Sequence, residues 1–172
     1  MSSVSARQTR RQPRKTPLVR SSRESIRQEA SRIDRVSHLR RVIEIMPGAW
    51  AALNRNRQIV LANRSFAALF DLSEDSLLTG LRLGEVLGCR LADPRAGGCG
   101  NVVGCSSCIA DCAIDNALEG ENDQVEVTLK VADGKQTVLR SYHLTTHERE
   151  ISIGKYVLVS LIELKSATFI EV

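Results

Sequence analysis

The 172-residue chain is 42% hydrophobic with a net charge of +4. That is enough apolar content for one packed domain plus an extension, and too much for global disorder. No run approaches the roughly 20 apolar residues of a membrane span, and the N-terminus has no apolar core of a secretory signal. A membrane or secreted role is therefore not expected, and a cytoplasmic location is.

The charge is unevenly placed. Residues 1–41 hold twelve Arg or Lys against Glu24, Glu29 and Asp34, so a basic segment precedes a mildly acidic remainder. Residues 1–20 combine six basic residues, no acidic ones and the prolines Pro13 and Pro17. They are predicted to be a disordered arm. Nucleic acid is a secondary partner for that arm, not the favoured one, because no aromatic interleaves the charges.

Ser21 and Glu24 have the spacing of a capping box, and Pro47-Gly48 is a stop signal. One long helix is therefore predicted over 21–46. Its apolar residues Ile26, Ala30, Ile33, Val36, Leu39, Val42, Ile43 and Met46 form a stripe on a strongly charged helix. A stripe of this kind needs a partner, and pairing with a second copy in a homodimer is the expectation. Packing on the chain's own globule is the alternative for its second half. His38 is expected on the solvated face.

Residues 47–165 are predicted to form the domain proper, with 166–172 as a tail. Ala49–Leu53 and Gln58–Ala62 are strands around the turn Asn54-Arg55-Asn56, and Asn63 is a cap for a short helix through Phe70. Another short helix is expected to begin at Ser73-Glu74-Asp75. A Gly-rich loop over 88–104 leads to a helix opening at Ser106 or Ser107 and closed by Gly120. Three strands with period-two apolar spacing finish the chain: one through Val125–Val131, one from Gln136 to about Thr146, one from Tyr156 to Leu164. The fold class is α+β, an antiparallel sheet of about five strands with short helices on one face.

All five cysteines fall between Cys89 and Cys112, spaced Cys-x9-Cys-x5-Cys-x2-Cys-x3-Cys. In a reducing compartment such a cluster reads as metal-binding or redox-active, and an odd count argues against a disulfide framework. Structural zinc sites usually show two Cys-x2-Cys pairs, and here only Cys105 and Cys108 form one. The irregular spacing with glycines between sits closer to iron–sulfur loops. Cys89, Cys99, Cys105 and Cys108 are the candidate ligands of an iron–sulfur cluster, with zinc or metal-free redox thiols as alternatives. Cys108, near a helix N-terminus, is expected to have a lowered pKa. Cys112 reads as a small core residue. His143 and His147, four apart on one strand face, read as exposed strand residues. No Ser-His-Asp set, P-loop or Gly-x-Gly-x-x-Gly is present, and an enzyme is not expected.

The run Pro47-Gly48-Ala49-Trp50-Ala51-Ala52-Leu53-Asn54, followed by Arg57 to Phe66, resembles the opening of a PAS sensor domain, and the likeness covers about 38–165. Leu83 to Cys89, Gly97-Gly98-Cys99-Gly100 and Cys105-Ser106-Ser107-Cys108 are similar to a bacterial subgroup with a four-cysteine loop, often found in signalling kinases. This resemblance implies that the cysteines border the family's cofactor pocket. The flavin-binding signature of light-sensing relatives is absent. The chain departs from the subgroup in Cys112 and in ending after the last strand. The resemblance implies a redox or oxygen sensor that passes its state through the sheet and the 21–46 helix to a separate kinase or regulator. A zinc-stabilised docking adaptor and a nucleic-acid-associated regulator are the alternatives.

Overall fold

A computed structural model describes residues 18–72, 77–133 and 136–164. The expected helix start at Ser73-Glu74-Asp75, most of the basic arm and the 166–172 tail lie outside these residues. In chain order the elements are α1 (Arg23–Ser37), α2 (Leu39–Ile45), β1 (Ala49–Leu53), β2 (Ile59–Ala62), α3 (Arg64–Ala68), α4 (Leu83–Val86), α5 (Ile109–Leu118), β3 (Asp123–Asp133), β4 (Gln136–Ile151) and β5 (Gly154–Glu163). Short 3-10 turns at Pro94–Ala96 and Val103–Ser107 shape the loop between α4 and α5.

The five strands form one antiparallel sheet in the order β2-β1-β5-β4-β3. The chain therefore places its first and last strands side by side at the centre. Alternation sends Ala51, Leu53, Val127, Leu129, Leu144, Val157 and Val159 to one face, where they pack with Phe66, Leu83 and Ile114 in the main core. The opposite face carries Ala52, Val60 and Tyr156. β1 and the cap at Asn63 follow the sequence: the Asn63 side chain accepts the Phe66 N–H at 2.9 Å. β4 runs five residues beyond its expected end at Thr146, because β5 pairs with it down to Ile151.

The N-terminal helix departs from expectation. It is two helices, broken at His38, which sits in the left-handed region with φ 50°. The Ser37 hydroxyl donates to the Ile33 carbonyl at 2.9 Å and accepts the Leu39 N–H at 3.3 Å, bridging the break. The cap is Ser22, whose Oγ accepts from Ser25 N at 3.1 Å. Glu24 makes no capping box but accepts from Gln28 one turn on.

The apolar stripe is not left for a second copy. Ile26, Ala30, Ile33, Leu39 and Ile43 are buried against Ala52, Val60, Leu61 and Tyr156 of the chain's own sheet. The break at His38 falls between the buried groups of α1 and α2, and Val36 and Val42 are left half exposed. Ile33→Ala should accordingly lose about 2–5 kcal/mol of stability, and Val36→Ala well under about 1 kcal/mol, both by chemical denaturation. Equal small losses would show that the stripe is not packed on the sheet.

Candidate functional site: a cavity ringed by cysteines

Between α4, the long loop, α5 and the inner face of β3 lies a cavity of about 650 Å³. Cys89, Cys99, Cys105 and Cys108 all line it, and Cys112 does not. All five thiols are free of disulfides. The walls between the thiols are largely apolar, with Leu83, Leu87, Ile114 and Leu129 among them.

Each thiol is placed by a different local device. Cys89 follows the tight end of α4, where its N–H donates to Gly84 O at 2.8 Å. Gly88 and Arg90 around it bond to Ala132 and Lys130, so this turn is hemmed onto the edge strand β3. Cys99 lies on Gly84, where a Cβ would fall 2.7 Å from the Cys99 sulfur. Only glycine allows that approach. Cys105 is buried in the second 3-10 turn, and its sulfur accepts from Gly100 N at 3.4 Å. Cys108 is the residue preceding α5, one or two positions later than the expected opening at Ser106 or Ser107.

Backbone N–H groups therefore point at several of the sulfurs. Gly84 N–H serves Cys99, and the Ala110 and Asp111 N–H groups at the start of α5 serve Cys108. The Cys108 thiol is nonetheless pushed up, not down as its helix position predicts. Burial outweighs the two N–H groups, and the charges of Asp111 and Cys105 add to it. Burial likewise pushes Cys99 up to about 12, opposed by Gly84 N–H and reinforced by Asp111, Cys105 and Cys108. As free thiols Cys99 and Cys108 therefore stay protonated at neutral pH, small and apolar. Among the described residues no three Cys, His, Asp or Glu side chains are gathered for a single metal ion. The thiols stand around the cavity instead of meeting at one point.

Two buried arginines frame the site. Arg57, held in the left-handed region at φ 61° in the β1–β2 turn, forms ion pairs with Asp111 and Asp115 on α5. It ties that turn to the helix carrying Cys108. Arg82 is 1% exposed. Its Nε donates to Asn56 O at 3.1 Å. Its Nη1 donates to Gly97 O at 3.3 Å and Cys99 O at 3.0 Å. Its Nη2 donates to Leu18 O at 3.1 Å and Val19 O at 3.3 Å. Beside it, Glu85 accepts from the N–H groups of Arg82 at 3.0 Å and Cys99 at 3.3 Å and pairs with Arg20.

Arg82, Glu85, Gly84 and the Arg57–Asp111 pair were not among the predicted site residues. Leu83 to Cys89 was singled out as a run, but nothing in it marks a short helix whose backbone cradles a thiol. Cys112, expected in the core, is half-buried one turn along α5. His143 and His147 face away from the cavity, and His147 stacks on Trp50 with ring centroids 6.4 Å apart. No described helix is long and apolar enough to cross a membrane.

If Gly84 is needed for the seating of Cys99, Gly84→Ala should cost about 1–3 kcal/mol and speed alkylation of Cys99 relative to Cys112, read by peptide mass mapping. An unchanged Cys99 rate in the folded variant would contradict this packing.

No family model and no curated protein matches the chain. Among solved structures it is similar to the Rhodobacter sphaeroides LOV protein, at 19% identity and a TM-score of 0.50, over 80% of this chain and 68% of that one. It is similar to VqmA of Vibrio cholerae, described among LuxR-type receptors, at 16% identity and a TM-score of 0.50, over 74% of this chain and 51% of that one. A PAS domain from a two-component sensor histidine kinase aligns over 78% of this chain and 99% of its own length at 12% identity and a TM-score of 0.47. The sheet order, the helices on its inner face and the likeness to the LOV protein together give the chain the fold of a PAS domain.

Proposed function

We propose that the chain is a cytoplasmic PAS redox or oxygen sensor in which Cys89, Cys99, Cys105 and Cys108 hold an iron–sulfur cluster. The observation that carries this reading is the sorting of the five cysteines. The four with cluster-like spacing line one cavity, and the fifth stands outside it. The donor set fits in a second respect. Gly84, Gly100, Ala110 and Asp111 direct backbone N–H groups at three of the four sulfurs. Such bonds are a principal means by which proteins stabilise and tune sulfur-bound iron.

A spread of thiols around a cavity suits a group with several metal atoms better than one tetrahedral ion, whose four sulfurs must all lie about 2.3 Å from a single centre. When bound, a cluster supplies a one-electron change and sensitivity to oxygen. The rest belongs to the chain's own residues. Leu83, Leu87 and Ile114 keep water from the cavity, Gly84 and α5 hold the sulfurs, and the Arg57 ion pairs couple α5 to the β1–β2 turn. The recipient is a separate signalling protein, a kinase or regulator, and the sensor acts as a homodimer through a surface other than the buried stripe.

Anaerobic purification followed by visible absorption and iron, sulfide and zinc analysis tests the reading. A coloured protein carrying iron and sulfide is expected, with colour lost in Cys89→Ser, Cys99→Ser, Cys105→Ser and Cys108→Ser and kept in Cys112→Ser. A colourless protein with one zinc per chain and no iron or sulfide would overturn the cluster reading and leave the zinc-stabilised adaptor in its place. Colour loss in Cys112→Ser would overturn the ligand assignment.

A further inference from the structure

The segment that precedes α1 does not simply lead into it. Leu18 to Ser21 is held to the cysteine loop and the β2 end by side chains that read its backbone. Asn101, in the loop between Cys99 and Cys105, accepts the Leu18 N–H at 2.7 Å and donates to the Leu18 carbonyl at 3.2 Å. Gln58 does the same to Ser21, accepting its N–H at 2.7 Å and donating to its carbonyl at 3.1 Å. Between them Arg82 takes the carbonyls of Leu18 and Val19 with the same guanidinium that takes Cys99 O. Arg20 pairs with Glu85 and donates to Gly80 O at 3.0 Å.

We propose that residues 18–21 form a clasp that reports the position of the cysteine loop. A displacement of Cys99 pulls its carbonyl from Arg82 and its N–H from Glu85, and so releases residues 18–21 from the domain. The inference deepens the sensor reading by naming the route out of the site. It rests on that reading only for the identity of the group that moves the loop.

Three features make the clasp a switch element and not just another packed segment. Its contacts to the chain are single side-chain hydrogen bonds, most of them to its backbone and others through Ser21 Oγ and Arg20 Nη1, with one partly exposed ion pair, each of which contributes little alone. The same two side chains, Arg82 and Glu85, hold both the clasp and Cys99, so loop and clasp share partners. Gly98 closes the arrangement. It has φ +79°, and a Cβ there would collide with Glu85 Oε1 and lie 2.8 Å from Arg20 Nη2.

Hydrogen exchange on the full chain, read on peptides over 18–26, tests the clasp. In Gly98→Ala and in Asn101→Ala these amides should exchange about tenfold faster or more, as loss of a few hydrogen bonds of ordinary strength requires. Gly48→Ala is the control, since its φ is +87° and a Cβ there meets nothing within 4 Å. It should leave the segment unchanged. Peptides over β4 and β5 should stay protected throughout. If Gly98→Ala does not fold, Asn101→Ala, which adds no atoms, decides alone. Wild-type exchange over 18–26 in folded Asn101→Ala would overturn the clasp.

Coupling to the loop is tested separately by forming an N-ethylmaleimide adduct on Cys99 in metal-free protein carrying Cys89→Ser, Cys105→Ser, Cys108→Ser and Cys112→Ser, with the unreacted variant as reference. Faster exchange over 18–26 in the adduct is expected. Wild-type exchange there would overturn the coupling whether or not the protein binds iron. A protein that binds no iron yet releases the segment keeps the clasp and loses the cluster.

Discussion

A guanidinium enclosed at 1% exposure is the constraint around which the rest of this site is arranged. Taking such a charge from water costs several kcal/mol unless its donors are met. Arg82 meets them with carbonyls from three separate stretches: Asn56 in the β1–β2 turn, Gly97 and Cys99 in the cysteine loop, and Leu18 and Val19 before α1. None of these stretches is regular secondary structure, so none could satisfy its own carbonyls by pairing along a strand or helix. The arginine needs the loops, and the loops need the arginine. That mutual dependence gives a glycine-rich segment one shape, which its own composition would not.

The same logic governs Arg57. Its backbone occupies a region that a bulky residue enters at some cost, and the gain is a reach to two carboxylates one turn apart on α5. Asp111 and Asp115 thereby fix the rotation of α5 about its axis. That rotation determines that Cys108 and Ile114 face the cavity while Cys112 does not. A helix held only by Ala110, Ala113 and Ala117 against the sheet would have less to set its rotation, because small side chains interlock weakly.

How much of this is legible in the sequence follows from the range of each interaction. Strands β3, β4 and β5 announce themselves by alternation, β1 and β2 as short apolar runs around turn residues, and Asn63 announces α3, because these signals are local. The crowding of cysteines around a pocket beside the long helix is legible from spacing and resemblance. The break at His38 is not, since the apolar steps run on across it and no proline or glycine marks it. Arg82 is not legible either. It stands between Leu81 and Leu83 like any charged residue punctuating an apolar run, and its partners lie up to 64 positions away. Cys108 shows the limit of a rule applied without burial. A helix start favours the thiolate, but enclosure on the cavity side opposes it more strongly.

Energetics also bear on which path a change at the cysteines can take. A route through the sheet must disturb β3, β4 and β5, which are paired over nearly their full lengths with buried side chains on the inner face. Antiparallel pairing of that extent moves as a unit or not at all, and its free energy of opening lies near that of global unfolding. The Leu18–Ser21 segment lies at the other extreme. Its hydrogen bonds are separate side-chain contacts instead of a paired ladder, it is partly exposed, and the helix beyond it has a cap at Ser22 that is one hydroxyl. On the clasp proposal, a displacement at Cys99 opens the second and leaves the first paired. The weak element is therefore the one able to respond, and it stands in direct hydrogen-bonded contact with the arginine that holds the cysteine loop.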